Sequence, residues 1–280
     1  MSDRDRPPAP EPLPHSVVDN HCHLDMALDG SGPAPTPAEA LEASAAVGVP
    51  RIVQVGCELE GARWAVDVAR GHEAIVAAVA LHPNEAPRLA ARDAFDEAWR
   101  EIEELAADEH VRAVGETGLD HFRTGEEGRT AQEHSFRLHI DLAKRLGKTL
   151  VIHDRDAHDD VLRVVDDEGA PERVVMHCFS GDAEFARACL DRGFWLSFAG
   201  TVTFKNAVGL REALVVTPQD RVLVETDAPF LTPMPYRGRP NASYLVPLTM
   251  RVMAGERGDD LGELCAAVER NTFEAFGGAW

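Results

Sequence analysis

Six side chains of the kinds that bind divalent metal ions are spread along the sequence, each near the end of a short run rich in β-branched residues. They are His21, His23, Glu116, His153, His177 and Asp227. Imidazole and carboxylate ligands in combination favour zinc, manganese, iron, cobalt or nickel over calcium. An ion held by such a set can activate water for hydrolysis. The residue types therefore predict a metal-dependent hydrolytic centre, provided that the fold brings them together.

The first two histidines are separated by a single residue, Cys22. Alternate residues of an extended segment point the same way, so both imidazoles can face one ion while the thiol points elsewhere. A histidine pair with this spacing also occurs at structural and surface positions. The four partners at matching positions along the chain make metal binding the preferred interpretation.

Four histidines and two carboxylates can serve two divalent ions if one carboxylate bridges them. Two dications bring four positive charges, from which Glu116 and Asp227 remove two and a bridging hydroxide removes one. The single positive charge that remains suits an anionic phosphodiester.

The elements that must position these side chains are short apolar runs that alternate with longer stretches of helical character. One such helix is predicted over Asp93–Ala107, with an apolar stripe. The predicted strands are Val17–Asp19, Arg51–Val55, Ile75–Val79, Val111–Gly115, Thr149–Ile152, Val174–Met176, Phe194–Ser197 and Val222–Val224. Eight strands with intervening helices are typical of a closed parallel barrel.

An open, doubly wound sheet is the alternative architecture. It usually carries a Gly-rich phosphate turn after its first strand, where this chain has Asp19-Asn20-His21. We therefore predict a single-domain α/β protein with the TIM (β/α)8 barrel fold. The carboxyl ends of all barrel strands meet at one rim, which would gather the six metal-binding side chains there.

Length and composition agree with one soluble domain. The chain has 280 residues, the usual size of such a barrel. Residues 1–15 carry five prolines and are expected to form a disordered tail, with the barrel over residues 16–280. The sequence has no apolar run of membrane-spanning length and no basic-then-apolar leader. Its five cysteines include no CxxC pair, so we expect reduced thiols in a cytoplasmic protein.

The formal net charge is −20 and the sequence pI is near 4.9. Such acidity argues against the broad basic surface of proteins that bind nucleic acid without regard to sequence. If DNA is the substrate, attraction must be local and must come from metal ions and a few arginines.

Taken in order, several motifs resemble those of the TatD family of metal-dependent deoxyribonucleases, within the amidohydrolase superfamily. They cover nearly everything after residue 16. The matching segments are Asp19-Asn20-His21-Cys22-His23-Leu24-Asp25, Ala80-Leu81-His82-Pro83, Gly115-Glu116-Thr117-Gly118-Leu119-Asp120, Ile152-His153-Asp154-Arg155-Asp156-Ala157, His177-Cys178-Phe179-Ser180-Gly181, Glu225-Thr226-Asp227-Ala228-Pro229-Phe230-Leu231 and Arg237-Gly238-Arg239-Pro240-Asn241.

The resemblance implies a TIM-type barrel with one or two divalent ions and 3′-to-5′ exonuclease action on DNA, at single-stranded or duplex ends. Zinc, manganese, magnesium, iron, cobalt and nickel all remain open as the metal. The first implied ligand set is His21, His23, Glu116 and Asp227, and the second is Glu116, His153 and His177. We expect no membrane association and no obligate protein partner, and we expect a monomer.

Roles in catalysis and substrate binding are carried over from the same family. Asp227 is expected to accept the proton of the attacking water while Glu116 bridges the ions. His82 would face the substrate phosphate. Arg155 and Arg237 are expected to clamp phosphate, because a guanidinium matches phosphate oxygens.

The chain departs from the family pattern at two places. Ala80-Leu81 stands where the family commonly has Gly-Val, and the histidine that follows is retained. Arg239 occupies a position that is often lysine, and Ala242-Ser243 follows Asn241 where Glu-Pro or a similar pair is common. The second departure leaves the detailed role of that loop open.

Three other functions remain as alternatives. An amidohydrolase could act on an ester or amide, although many such barrels bridge their metals with a lysine. The three lysines, Lys144, Lys148 and Lys205, do not follow a strand in the manner of Glu116. Removal of a D-amino acid from tRNA is a second ester chemistry. A non-catalytic barrel with structural metal is the third, but structural sites are usually closed clusters of four ligands.

Several other residues have plainer interpretations. His134 and His139 are predicted to be surface residues of a helix, and Trp195 and Phe198 to belong to the core rather than to a base-stacking surface. Asp25 could orient the first histidines, and Glu225 could shape the rim or orient Asp227.

Overall fold

Eight parallel strands form one sheet in the order β1 to β8 in the computed structural model, which describes residues 6–28 and 33–280. The strands are β1 Val18–Cys22, β2 Arg51–Gly56, β3 Ile75–Val79, β4 Val111–Asp120, β5 Thr149–Arg155, β6 Val174–Met176, β7 Trp195–Phe198 and β8 Val222–Val224. A parallel bridge between Cys22 and Ala228 joins the first strand to the segment after the last. The predicted single-domain TIM barrel is therefore confirmed.

Helices connect successive strands and cover the outside of the barrel. They are α1 Pro37–Ala45, α2 Leu59–Gly71, α3 Glu85–Ala90, α4 Phe95–Ala106, α5 Glu126–Leu146, α6 His158–Glu168, α7 Ala183–Leu190, α8 Val208–Val216, α9 Val246–Arg257 and α10 Leu261–Ala275, with 3₁₀ turns at Gly200–Thr203, Gln219–Arg221 and Ser243–Leu245. Among the described residues, no helix combines the length and the apolar character that a membrane crossing requires.

Local sequence explains where several helices begin and which face they bury. Thr36 and Glu39 form a reciprocal capping box at the start of α1, which satisfies backbone groups that the first turn leaves free. Helix α4 lies within the predicted Asp93–Ala107 and buries Phe95, Trp99 and Ile102, the predicted apolar stripe.

The core has two layers because alternate residues of each strand point to opposite faces of the sheet. Val53 and Val55 of β2 belong to a cluster with side chains from β3 to β8, including Trp195, in the barrel interior. Ile52, which directly precedes Val53, belongs to the larger cluster between the sheet and the helices. Phe198 belongs to the same larger cluster. Trp195 and Phe198 are thus core residues, as predicted.

The N-terminal segment differs from the sequence expectation. Residues 1–5 lie outside the described residues, but residues 6–15 pack on the barrel. Leu13 is buried and its amide donates to the Val47 carbonyl at 3.0 Å, and the Tyr244 hydroxyl donates to the Pro7 carbonyl at 2.7 Å. Arg251 donates to the Pro12 carbonyl at 3.0 Å. The prediction of a disordered tail is therefore wrong for residues 6–15, because buried Leu13 and several hydrogen-bond donors of the barrel hold this segment in place.

Candidate metal centre

The six predicted metal-binding side chains converge at the carboxyl rim of the barrel. His177 directly follows β6, and Asp227 follows shortly after the end of β8, as expected. His21, Glu116 and His153 lie within β1, β4 and β5, because these strands continue further than their β-branched runs suggest. The β4–β5 ladder extends to the pair Asp120↔Arg155, which makes both side chains part of a rigid wall.

Glu116 lies at the centre of the cluster and is buried. Its Oε1 atom is 2.7 Å from His153 Nδ1 and 3.1 Å from His177 Nε2, whereas its Oε2 atom is 3.2 Å from His21 Nε2. The two oxygens thus face different imidazoles. This is the arrangement that a carboxylate bridging two ions requires.

Asp227 faces the two histidines of the first strand segment, His21 and His23. Its Oδ1 atom is 3.4 Å from His23 Nε2 and 3.8 Å from His21 Nε2. Asp227 has a φ of 53°, a left-handed conformation that is costly for a residue other than glycine. Its amide donates to the His21 carbonyl at 2.9 Å, which holds the carboxylate over the first strand despite that cost.

Two halves of the centre can be distinguished. The Asp227 half consists of His21, His23 and Asp227, whose ligand atoms lie within 4.8 Å of one another. The His153 half consists of His82, His153 and His177, grouped around Glu116 Oε1. The rings of His21 and His177 stack at a centroid distance of 3.9 Å and join the halves.

The buried ring nitrogens of His21 test whether these residues fit a metal ion. Neither nitrogen has a hydrogen-bond partner in the described part of the chain. A buried polar atom without a partner costs roughly 1–3 kcal/mol. His21 Nε2 points toward the carboxylates of both Glu116 and Asp227, so a cation placed among them would satisfy it. The donor set therefore fits divalent metal ions.

Neighbouring acceptors orient the imidazoles. His177 Nδ1 is 3.2 Å from Glu225 Oε1, and His23 Nδ1 is 3.0 Å from the Val55 carbonyl. Hydrogen-bonded partners of this kind set the tautomer and ring direction of metal-binding histidines. His153 Nε2 lies 3.5 Å from Asp120 Oδ2 without a hydrogen bond between them.

These contacts refine the roles considered from sequence. Glu225 contacts His177 and not Asp227, and Asp25 accepts from the Gln54 amide at 2.9 Å instead of orienting a histidine. Asp120 carries no predicted role. It lies four residues after Glu116 in β4, but the register shifts between Gly115 and Thr117, so the strand period alone does not relate the two side chains.

The electrostatics of the cluster keep both carboxylates ionised. Burial acts to raise the pKa of Glu116, but the charge of His177 and the hydrogen bond from His153 outweigh it and hold that pKa well below its usual range. Burial is likewise outweighed for Asp227, whose pKa is lowered by its hydrogen bond to His23 and by the charge of the neighbouring histidines. Burial and the neighbouring His177 lower the pKa of His21. Burial is outweighed at two other rings: Asp227 raises the pKa of His23 to about 9, and Glu116 and Glu225 raise the pKa of His177 well above its ordinary value. A bound metal ion would displace these protons, because neutral imidazole and ionised carboxylate are the forms that bind metals.

His82 lies beside the centre, and its contact with the substrate phosphate stays a prediction. Its Nδ1 atom accepts a hydrogen bond from the Asn84 amide at 3.0 Å, so its Nε2 atom carries the proton in the neutral ring. That Nε2 atom is 3.2 Å from Glu116 Oε1. Burial lowers the pKa of His82, which keeps the ring neutral.

The two predicted phosphate-binding arginines have different positions. Arg155 lines the cavity above the cluster, and its guanidinium lies 4.0 Å from the centre of the Phe122 ring. Arg237 is exposed, lies 4.4 Å from the Phe204 ring centre and is not among the residues that line the cavity. The fold thus brings Arg155, and not Arg237, to the cavity.

One residue near the site, Cys57, was not anticipated. Cys57 is a free thiol whose Sγ atom lies 3.3 Å from Glu116 Oε2, and with His23 it forms a third group of closely spaced ligand atoms. No motif marks this cysteine. It follows β2 at the same rim, and only closure of the barrel brings it to Glu116.

His139 is buried, so the prediction of a surface residue is wrong for it, whereas His134 is exposed as predicted. His139 accepts from the Leu81 amide at 3.1 Å and donates to the Ser135 carbonyl at 2.7 Å. The spacing of Phe136, His139 and Ile140 along α5 is that of a buried helical stripe and could have revealed this.

The cavity above the cluster has a volume of about 1380 Å³. His82, Glu116, His153 and Asp227 are among its lining residues, with Phe230 on the same wall as Asp227. Five of the six predicted metal-binding side chains therefore line the cavity, and His21 is buried beneath it.

Comparison with known proteins agrees with this architecture. The sequence profile of a family described as "TatD related DNase" matches residues 18–277. A Mycobacterium tuberculosis protein named "uncharacterized metal-dependent hydrolase TatD" is 44% identical over 268 residues, covering 94% of this chain and 99% of that protein. A Cronobacter sakazakii protein named "3′-5′ ssDNA/RNA exonuclease TatD" is 33% identical over 245 residues, covering 85% and 90%.

A solved structure supports the same relationship. The crystal structure of a TatD homologue from Escherichia coli superposes with a TM-score of 0.84 at 26% identity, covering 94% of this chain and 98% of that one. Profile, sequence and fold agree over nearly the full length of the barrel. The chain belongs to the family of TatD-related DNases.

Proposed function

We propose that this protein is a divalent-metal-dependent hydrolase that removes nucleotides from the 3′ end of DNA. The observation that carries the proposal is Glu116, whose two oxygens face different sets of imidazoles at 2.7–3.2 Å. That arrangement favours a pair of ions bridged by one carboxylate, which suits phosphodiester hydrolysis.

The ligand sets divide along the two halves of the centre. One ion would be held by His21, His23, Glu116 and Asp227, and the other by Glu116, His153 and His177. Bound there, the ions would stabilise the charge of the reacting phosphate and activate water. The donor set suits zinc, manganese, iron, cobalt or nickel, and magnesium remains open.

Asp227 is the better placed of the two carboxylates to accept the proton from water. Its side chain is 16% exposed, compared with 5% for Glu116, so a proton can leave to solvent. Its lowered pKa keeps it ionised and able to accept. Glu116, enclosed by imidazoles, serves instead to bridge.

His82 and Arg155 act on the phosphate. The Nε2–H of His82 points into the cluster and can donate to a phosphate oxygen. The Arg155 guanidinium makes no ion pair or hydrogen bond with the residues the structure describes, so its donors are available. A guanidinium matches two phosphate oxygens at once. Arg237 could assist only at a distance from the centre.

Nucleic acid is favoured as substrate by the residual positive charge of a two-metal centre with two carboxylates. The name of the Cronobacter sakazakii relative also points to exonuclease action on DNA or RNA. The five free cysteines agree with action in the cytoplasm, and we propose a monomer there.

Digestion of end-labelled single-stranded and duplex DNA by chelator-treated protein tests the proposal. Magnesium, manganese and zinc are added back separately, with His153→Ala as the inactive control. We expect metal-restored shortening from the 3′ end that the control lacks. Stoichiometric metal uptake without cleavage of DNA, but with hydrolysis of a small ester or an aminoacyl-tRNA, would replace the nuclease by an ester hydrolase.

A further inference from the structure

Two phenylalanine rings are exposed near the cavity: Phe230 lines it, and Phe122 stands beside the lining residue Arg155. Among the described residues, four large hydrophobic side chains are exposed, namely Phe122 (62%), Phe230 (42%), Val208 and Val215. Both aromatic ones follow strands that carry the metal centre. Phe122 comes two residues after the end of β4, and Phe230 comes three residues after Asp227. An exposed ring beside an open site is a candidate contact for a planar ligand.

The two rings stand on opposite sides of the mouth. In a barrel with strand order β1 to β8, three strands separate β4 from β8 in either direction. The loops that follow these two strands therefore face each other across the rim. A chain passing over the metal centre would meet both.

The backbone at Phe230 is held rigidly. Asn241 Nδ2 donates to the Phe230 carbonyl at 2.6 Å, and the Phe230 amide donates to the Asp227 carbonyl at 2.9 Å. The next residue, Leu231, has a φ of 55°, a conformation that persists only where neighbouring contacts impose it. The ring lines the cavity with its centroid 6.4 Å from that of His23. A platform fixed in this way costs little entropy on binding.

Phe122 is paired with a cation. The Arg155 guanidinium lies 4.0 Å from its ring centre, which covers one face and leaves the ring 62% exposed. Arg155 lines the cavity, so an aromatic surface and a phosphate-binding donor set lie side by side there. Alternating aromatic and cationic contacts match the alternation of base and phosphate in a single strand.

The charge of the protein favours stacking over a broad electrostatic surface. The formal net charge is −20, which opposes binding through many phosphate contacts. Stacking on an aromatic ring needs no net charge and tolerates every base.

We propose that Phe122 and Phe230 are two base-stacking platforms that each hold the base of an unpaired nucleotide in a single-stranded nucleic acid. The assignment rests on the proposed nuclease function. Bases within a duplex already stack on both faces, so the platforms make the enzyme select single-stranded or frayed ends.

Binding of a hydrolysis-resistant, fluorescein-labelled phosphorothioate oligonucleotide to the metal-loaded protein tests this by anisotropy. Phe122→Ala and Phe230→Ala each weaken binding about tenfold, the usual effect of removing one stacked aromatic side chain. Val215→Ala, which removes an exposed apolar side chain of α8, leaves binding unchanged. Phe230→Trp retains a ring and binds at least as well as the parent.

A salt series separates stacking from charge. Because stacking releases no counterions, the alanine variants shift the plot of log affinity against log salt without changing its slope. Arg155→Ala makes the slope shallower by about one phosphate contact. A changed slope in Phe230→Ala would mean that the residue acts through phosphate contacts and would overturn the stacking role.

Oligonucleotides with a single abasic site stepped through the last five 3′ positions then locate the bases. The loss of affinity caused by each Phe→Ala substitution should disappear for one abasic position, because no base remains there to stack. Losses that persist for every abasic oligonucleotide, or variants that bind like the parent, overturn the platforms. Ring-dependent binding without DNA digestion would refute the nuclease proposal alone, whereas digestion with ring-independent binding would refute the platforms alone.

Discussion

Two pairs of histidines, one from each half of the metal centre, differ in how far they are shielded from water. In the Asp227 half the side chains of His21 and His23 are 0% and 4% exposed. In the His153 half the side chains of both His153 and His82 are 17% exposed. Asp227 is 16% exposed and His177 is 4% exposed, so the difference lies between these two pairs of histidines and not between the complete halves. We therefore expect an ion bound by His21 and His23 to be released less readily than one bound by His153.

Removing the residue shared by both halves should have the largest effect. Glu116→Gln keeps the shape of the side chain but removes the charge that serves both sets of imidazoles. We expect activity to fall by about 10³-fold or more, since several kcal/mol of charge stabilisation are lost. The initial rate of DNA digestion measures the loss of activity. Mass spectrometry of the same protein measures the bound metal.

The control for Glu116→Gln is Glu58→Gln, which changes another carboxylate of the cavity lining. It should keep parental activity and metal content. Full metal content in Glu116→Gln would show that this carboxylate is not a ligand of either half.

Loss of one ligand from each half should separate them. Because His21 is buried without another partner and His153 is open to the cavity, a graded chelator series should release one ion before the other. His153→Ala should weaken binding of the ion that is released first. His21→Ala should weaken binding of the ion that is released last. Each affinity should fall by more than about a hundredfold, beyond the cost of losing an outer partner.

Metal content against chelator concentration measures this order of release. Simultaneous loss of both ions in the parent protein would contradict the difference between the halves.

Changes to the outer partners should have smaller effects, confined to the His153 half. Glu225→Gln disturbs the orientation of His177, and Asp120→Asn that of His153. We expect a roughly 10–100-fold loss in metal affinity or in kcat, with KM nearly unchanged. Asp25→Asn, whose carboxylate contacts Gln54 rather than an imidazole, is the matched control. Equal losses in all three variants would indicate a general defect in stability.

The smallest effect on activity is expected at His139, which supports the backbone beside His82. Burial lowers the pKa of His139 from 6.5 to about 4. The unfolded chain therefore binds the proton more readily than the folded protein does. The contribution of the neutral ring to the free energy of unfolding is fully present above pH 6.5. It is lost as the pH falls toward 4, by about 3 kcal/mol at most.

Urea unfolding at pH 7.5 and pH 5 measures this contribution. His139→Asn should lose less stability than the parent protein between these two pH values, and His134→Asn, an exposed change on the same helix, should behave like the parent. An equal loss in His139→Asn and the parent would contradict the assignment.

The order of strands and the identity of the central residues could be predicted from sequence. Ile75–Val79, Val174–Met176 and Val222–Val224 were predicted with their observed bounds, because these strands are wholly apolar. Strands β4 and β5 were predicted too short, because they continue into polar side chains such as Glu116 and His153. The apolar pattern stops where the functional residues begin.

The sequence by itself determined the barrel, the family and the six side chains that meet at its rim, because strand periodicity and motif order are local properties. Only the tertiary structure decided which atoms meet. It placed Cys57 beside Glu116, turned Glu225 toward His177, buried His139, and brought Arg155 but not Arg237 to the cavity. These outcomes depend on contacts between residues far apart in the chain, which appear only when the barrel closes and its rim loops take their conformations.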